Sequence, residues 1–167
     1  MPMRIFVRVA SIASLSLLVL ACCFGGSGAA SNTTRLDPWG VELDHGSFVG
    51  GALPDGSYLF TSSDGSSTLT VSAALPGTPA ASRQPTDLLG HAANVQWTRP
   101  RTYAGMSGIE SRVNDPLQGQ VHWIGAFDAP TGAVVVLRLS TSTQWIDTPT
   151  RGDPGWETLA LGVRRGS

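Results

Sequence analysis

Residues 58–73 read YLFTSSDGSSTLTVSA, two apolar alternations on either side of an Asp-Gly pair. Asp64-Gly65 indicates a two-residue hairpin turn, because both residue types tolerate a positive φ. With that turn, two apolar pairs meet across the strands on one face, Phe60 with Leu69 and Tyr58 with Val71. The other face carries Leu59, Thr61, Thr68, Thr70 and Ser72. We therefore predict an amphipathic antiparallel hairpin that is covered on one side.

Three further strands are predicted downstream of the hairpin, at residues 102–113, 120–127 and 133–141. In the last of these, Ala133-Val134-Val135-Val136-Leu137 is a continuous apolar run. Such a run is typical of a central strand that is covered on both faces.

Two helices are predicted, one on each side of this strand group. The first begins at Asp87 with Thr86 as its cap, and Pro100 closes the segment. Its buried side would carry Leu88, Leu89, Ala92, Ala93 and Trp97. The second has Asp153 as cap and Pro154 in the first helical position. Its apolar stripe would be Trp156, Leu159, Ala160 and Val163, and Arg164 and Arg165 at its end would suit the helix dipole.

The order of elements predicts an α+β fold in which a mainly antiparallel sheet packs with two helices as an αβ sandwich. The expected domain is a single one over residues 37–167. The chain has 167 residues, enough for one domain once a targeting segment is removed.

The N-terminus, residues 1–21, has the layout of a secretion signal peptide. Arg4 and Arg8 precede an apolar stretch from Val9 to Leu20. That stretch is too short for a transmembrane anchor, which needs about 20 apolar residues. Residues 22–36 include a Gly/Ser-rich run and are expected to form a flexible tether.

The run Leu18-Val19-Leu20-Ala21-Cys22 resembles the lipobox of bacterial lipoproteins. The resemblance implies a diacylglyceryl group on the Cys22 thiol, cleavage before Cys22 and a further acyl chain, such as palmitate, on the new amine. Two or three acyl chains hold a protein on a membrane stably. Two alternatives stay open: lipidation of Cys23, and a plain secreted protein cut near Ala29-Ala30.

The expected location is thus the cell envelope, with the membrane as a partner through the lipid anchor. If the cell has two membranes, Cys23 is not the Asp that marks inner-membrane retention in the lipoprotein family, so the outer membrane facing the periplasm is expected. The net charge of −1 excludes a generic basic nucleic-acid binder. No cofactor is expected.

The segment from His45-Gly46-Ser47-Phe48 to Leu53-Pro54-Asp55-Gly56 is similar to the opening of the PsbP/DcrB-like domains, a strand followed by L-P-D-G. The resemblance extends by element order from Trp39 to Arg165. It implies a non-enzymatic envelope or accessory domain that docks partners, and it transfers no catalytic residues.

Chemistry-bearing residues are few. His45 follows Asp44, and His122 could project from a strand near Glu110, but these two and His91 lack the spacing of a metal site. Trp39 and Trp145 flank turn-like segments and are candidate partner contacts. The leading hypothesis is a non-catalytic binding or accessory module for a protein partner or a small ligand. The alternative is an envelope hydrolase that uses a His/carboxylate pair.

Overall fold

The computed structural model describes residues 32–142 and 154–167. The chain divides into two compact units, residues 1–30, which lie outside the described residues, and residues 31–167. The helices are α1 (Pro85–Leu89) and α2 (Pro154–Leu161). The strands are β1 (Thr33–Leu36), β2 (Val41–Asp44), β3 (Val49–Ala52), β4 (Tyr58–Thr61), β5 (Ser67–Ala73), β6 (Asn94–Tyr103), β7 (Met106–Asp115), β8 (Gln120–Asp128), β9 (Val134–Ser142) and β10 (Val163–Arg165).

The strands form two antiparallel sheets. The larger has seven strands in the order β3-β4-β5-β9-β8-β7-β6, and the smaller has three in the order β1-β2-β10. With its two helices, the structure confirms the predicted α+β class.

The inner face of the large sheet packs against the small sheet and α2. Its core includes Phe60, Leu69, Leu137, Trp123 and Phe127 from the large sheet, Val41 and Leu43 from β2, and Trp156 and Leu159 from α2. Burial of this much apolar surface is the main force that holds the two layers together.

The outer face of the large sheet has two halves. Over β7 and β8 it is covered by α1 and a 3-10 helix at Ala80–Ser82, which pack on Ile109, Val113, Ile124 and Ala126. Over β4, β5 and β9 its side chains are half-buried and polar. We call this second part the hydroxyl face and define it as Leu59, Thr61, Thr68, Thr70, Ser72, Arg138 and Ser140.

The predicted hairpin is confirmed as β4 and β5, including the pairing of Phe60 with Leu69 and of Tyr58 with Val71. In its turn, Gly65 has a φ of 71°, whereas Asp64 is not among the residues with positive φ. The predicted central strand is β9, the fourth of seven, and residues 134–137 are buried on both faces.

The first predicted helix is wrong in its length. Helix α1 ends at Leu89 because Gly90 adopts a left-handed C-cap, with a φ of 78°. Trp97 and Pro100 belong instead to β6, an edge strand, where a proline removes no needed ladder hydrogen bond. The predicted strand at 102–113 likewise spans two strands, β6 and β7, joined by Ala104-Gly105 with φ of 48° and 80°.

The C-terminal prediction is correct for α2 but wrong for the residues after it. Trp156, Leu159 and Ala160 are buried as expected. Val163, Arg164 and Arg165 form β10, which pairs with β2, and so do not extend the helix. Asp153, the expected cap, lies outside the described residues.

The folded part begins earlier than the predicted boundary at residue 37. Strand β1 (Thr33–Leu36) lies within the expected tether and pairs with β2. In the two described ranges, no helix is both long and apolar enough to cross a bilayer.

Candidate functional site

The hydroxyl face is built by the register of three neighbouring strands. Thr70 of β5 lies opposite Arg138 of β9, and Thr68 lies opposite Ser140. Because side chains alternate along a strand, all four project to the outer side, while Leu69 and Leu139 point into the core. The result is a floor of hydroxyl groups with one cation on the central strand.

Arg138 is weakly partnered for a half-buried guanidinium. Its Nε donates to Thr70 Oγ1 at 3.3 Å, and Thr70 Oγ1 donates to the Arg138 carbonyl at 3.4 Å. Among residues 32–142 and 154–167, no carboxylate lies within 4.0 Å of it. The guanidinium has five N–H donors, so most of its hydrogen-bonding capacity is left for solvent or a ligand.

A groove borders this floor. Val136, the next outward residue of β9 before Arg138, lines a groove of ≈ 280 Å³ together with Arg83, Asp87 and Leu88. Arg83 is held there by the carbonyl oxygens of Leu75 and Thr78. The groove therefore brings the Arg83 guanidinium and the exposed Asp87 carboxylate to the border of the hydroxyl face.

A second polar group lies at the margin of the hydroxyl face. His91 Nε2 is 2.6 Å from Asp115 Oδ2, and His122 Nε2 is 3.7 Å from the same oxygen. His122 Nδ1 is 2.9 Å from Ser140 Oγ. Ser140, His122 and Asp115 thus stand in line across β9, β8 and β7.

Both buried groups of this line have shifted pKa values. Burial lowers the pKa of His122, and the nearby Arg138 charge lowers it further. The hydrogen bond from His91 holds the pKa of Asp115 below its ordinary value. The neutral imidazole of His122 and the ionised Asp115 are therefore the favoured forms at neutral pH.

The Asp115 carboxylate is occupied by structural hydrogen bonds. Its Oδ1 accepts from the backbone N–H groups of Leu117 at 3.1 Å and Gln118 at 3.2 Å, which shapes the turn between β7 and β8. Its Oδ2 is taken by His91, which follows α1. This arrangement ties the covering segment to the sheet, and the longer His122 contact is not a hydrogen bond.

The inner face carries a contrasting cluster around Glu110, whose side chain is 1% exposed. Arg99 and Arg101 both form ion pairs with this carboxylate, and Trp156 Nε1 donates to it at 3.4 Å. Arg101 also binds Glu157 through two hydrogen bonds of 2.9 and 2.8 Å, which lower the pKa of Glu157. In this cluster the cations Arg99 and Arg101 are therefore balanced by the anions Glu110 and Glu157.

Of the two predicted partner contacts, the structure describes Trp39 alone. Trp39 is only 6% exposed and packs edge-on against Tyr58, with ring centroids 5.8 Å apart, so it is a core residue that lines one end of a groove of ≈ 400 Å³. Trp145 and Cys22 lie outside the described residues.

Two histidine predictions also need correction. His45 does not pair with Asp44: its Nδ1 lies 2.8 Å from the Phe48 carbonyl, and its ring stacks on Phe60. His122 projects from β8 to the outer face, whereas Glu110 faces inward, so the carboxylate beside His122 is Asp115. In the described ranges, no group of three or more His, Cys, Asp or Glu side chains could hold a metal ion.

No family model fits this sequence, and no curated protein is significantly similar to it.

Proposed function

We propose that the chain is a lipid-anchored protein of the cell envelope whose α+β domain is a binding module, with the hydroxyl face as its binding surface. The membrane is reached through an acylated Cys22. The ligand or partner docks on β4, β5 and β9, and the domain performs no chemistry on it.

One observation carries this proposal: the outer face is covered over β7, β8 and the first half of β9 but left half-exposed around Arg138, whose side chain has one hydroxyl partner among the described residues. The hydroxyls of such a half-exposed polar surface are hydrated, and a polar ligand that reproduces the hydrogen bonds of this water can replace it. The location at the envelope rests on the lipobox-like run before Cys22.

The test combines fractionation with site-specific crosslinking in the producing cells. A photo-crosslinking residue at Thr68 is expected to give a defined adduct from intact membranes, whereas the same residue at Leu117, an exposed position in the β7–β8 turn, gives none. Cys22→Ala is expected to release the protein from the membrane fraction. Equal crosslinking from both positions, or none from Thr68, contradicts the proposed surface.

A second candidate function, an envelope hydrolase, is favoured by the alignment of Ser140, His122 and Asp115. In such an enzyme the Ser140 oxygen would attack a carbonyl while His122 accepts its proton. A fluorophosphonate probe separates the candidates, because attack by Ser140 displaces fluoride and leaves a covalent phosphonyl adduct. The binding proposal predicts no adduct. An adduct that is lost in both Ser140→Ala and His122→Gln establishes the hydrolase instead.

A further inference from the structure

We propose that the hydroxyl face recognises a sugar acid, with Arg138 binding its carboxylate and the surrounding side chains binding its hydroxyl groups. This inference rests on the proposed function, since it names the ligand class of the same surface. Charge complementarity is its starting point.

Arg138 differs from the described arginines that pair with a carboxylate. Arg35 pairs with Asp37 at 2.8 Å, and Arg99 and Arg101 pair with Glu110. A half-buried guanidinium loses part of its hydration, and a single bond of 3.3 Å to Thr70 returns little of that loss. An anion that docks on Arg138 supplies the missing compensation.

The anion is expected to carry one charge. The described residues of the hydroxyl face include one cation, and the amides of β9 are engaged in ladders with β5 and β8. The adjoining groove adds Arg83, but that guanidinium is engaged by the carbonyl oxygens of Leu75 and Thr78, and Asp87 brings a compensating negative charge. Phosphate sites generally combine several cations or free backbone N–H groups, neither of which is present on this floor. The Nε of Arg138 donates to Thr70, and no described residue hydrogen-bonds to its Nη1 or Nη2. That remaining edge of the planar guanidinium matches a carboxylate, which it binds through two parallel hydrogen bonds.

The rest of the surface suits hydroxyl groups. Thr68 offers a hydroxyl donor and acceptor diagonally across the ladder from Arg138. The hydroxyls of Thr70 and Ser140 are partly engaged, by Arg138 and by His122, and each keeps one further lone pair or donor for a ligand. Beyond Val136, the groove beside α1 adds the Asp87 carboxylate, which accepts hydrogen bonds from hydroxyls. A ligand with one carboxylate and several hydroxyls, such as a uronic acid of an envelope polysaccharide, can bind both the Arg138 guanidinium and the surrounding polar side chains.

The experiment is calorimetric titration of the full chain, purified in detergent micelles, with glucuronate and with a short oligogalacturonate. Glucose, acetate and inorganic phosphate are the comparison ligands. Glucuronate is expected to bind at least about tenfold more tightly than each of the three, a difference that one charge-assisted bidentate contact can supply.

The variants assign the effect to the surface. Arg138→Gln is expected to reduce glucuronate affinity at least about tenfold, and Thr70→Val several-fold. The matched control is Arg164→Gln, which removes the same charge from an exposed position in β10. Thermal melting checks that each variant is folded.

Three results overturn the inference. They are no binding of either sugar acid, phosphate or glucose binding as tightly as glucuronate, and equal losses in Arg138→Gln and Arg164→Gln. The proposed function is tested separately by the crosslinking experiment, and it fails if Thr68 gives no adduct or gives no more than Leu117. An adduct there without sugar-acid binding leaves the surface in place and removes only the ligand class.

Discussion

The Glu110 cluster on the inner face and the hydroxyl face on the outer side treat arginine in opposite ways. On the inner face, Arg99 and Arg101 are neutralised by Glu110, which is buried beneath them. On the outer face, Arg138 occupies the central strand with one hydroxyl as its partner. A cation that is paired with an anion of the same chain stabilises the fold. A cation without a described anionic partner can instead bind an anionic ligand. The predictions below test this difference.

Glu110→Ala is expected to have the largest effect on stability. It leaves two cations without their buried partner, and loss of one member of a buried ion pair costs about 3–5 kcal/mol. Urea unfolding measures the loss. Glu157→Ala is the matched control: its side chain is 53% exposed, and an exposed pair contributes about 0–1 kcal/mol. Equal losses in the two variants would remove the structural role of the Glu110 cluster.

Gly125→Ala is expected to have the next largest effect, also on the inner face. A Cβ at Gly125 would lie 2.4 Å from the Tyr103 hydroxyl and 3.0 Å from Trp156, which packs beside Glu110. Overpacking of this kind costs about 1–3 kcal/mol. The control is Gly51→Ala in the edge strand β3, where the added methyl meets nothing within 4 Å. A thermal melt of Gly125→Ala that matches the wild type would contradict the close packing.

Two groups, His122 and Glu157, are expected to contribute to the pH dependence of stability in different pH ranges. Because the pKa of His122 is lower in the folded state than its ordinary value of 6.5, the unfolded chain binds more protons, and stability falls as the pH drops below about 6.5. The ion pair of Glu157 on the inner face has a lowered carboxyl pKa, so its contribution falls only below about 4.5.

Urea midpoints at several pH values measure this dependence, with His122→Gln as the comparison. The variant should show a smaller slope than the wild type between pH 7 and 5. Identical slopes in the two proteins would mean that His122 is not the group that titrates.

Arg138→Gln is expected to have the smallest effect on stability, within about 0.5 kcal/mol of the wild type, because the residue contributes one weak hydrogen bond to the fold. Chemical denaturation is the measurement. A loss comparable to that of Glu110→Ala would make Arg138 a structural residue and would abolish the contrast between the faces.

The sequence predicted the sheet best where one residue pattern had one physical meaning. The alternation on either side of Asp64-Gly65 allows a single register that keeps Phe60 and Leu69 on one face, and the structure has that register. The apolar run of β9 could be buried only in the middle of a sheet.

The first helix was overextended because Gly90 can either be tolerated within a helix or end it. In the structure Gly90 ends the helix, because the residues after it form the edge strand β6. Pro100 fits into that strand because an edge strand tolerates a residue without a backbone N–H. β10 was missed because a run of three residues that follows a helix carries no recognisable strand pattern. It forms a strand only by pairing with β2.

Only part of the candidate site could be predicted from the sequence. The hydroxyl row Thr61, Thr68, Thr70 and Ser72 was predicted to lie opposite the apolar face. Arg138 was not singled out, although it is a charged interruption in the apolar pattern of residues 134–139 and could have been noticed as such. That no carboxylate among the described residues pairs with it depends on which strands flank β9, and no local pattern encodes that.

The most direct test of the central claim is to follow the backbone amide signals of the full chain in micelles by NMR while glucuronate is added. The account predicts shifts confined to β5 and β9 around Thr70 and Arg138, and none around Glu110. Glucose should leave both regions unchanged. Shifts centred on the Glu110 cluster, or spread equally over both faces, would contradict the assignment of the outer face as the binding surface.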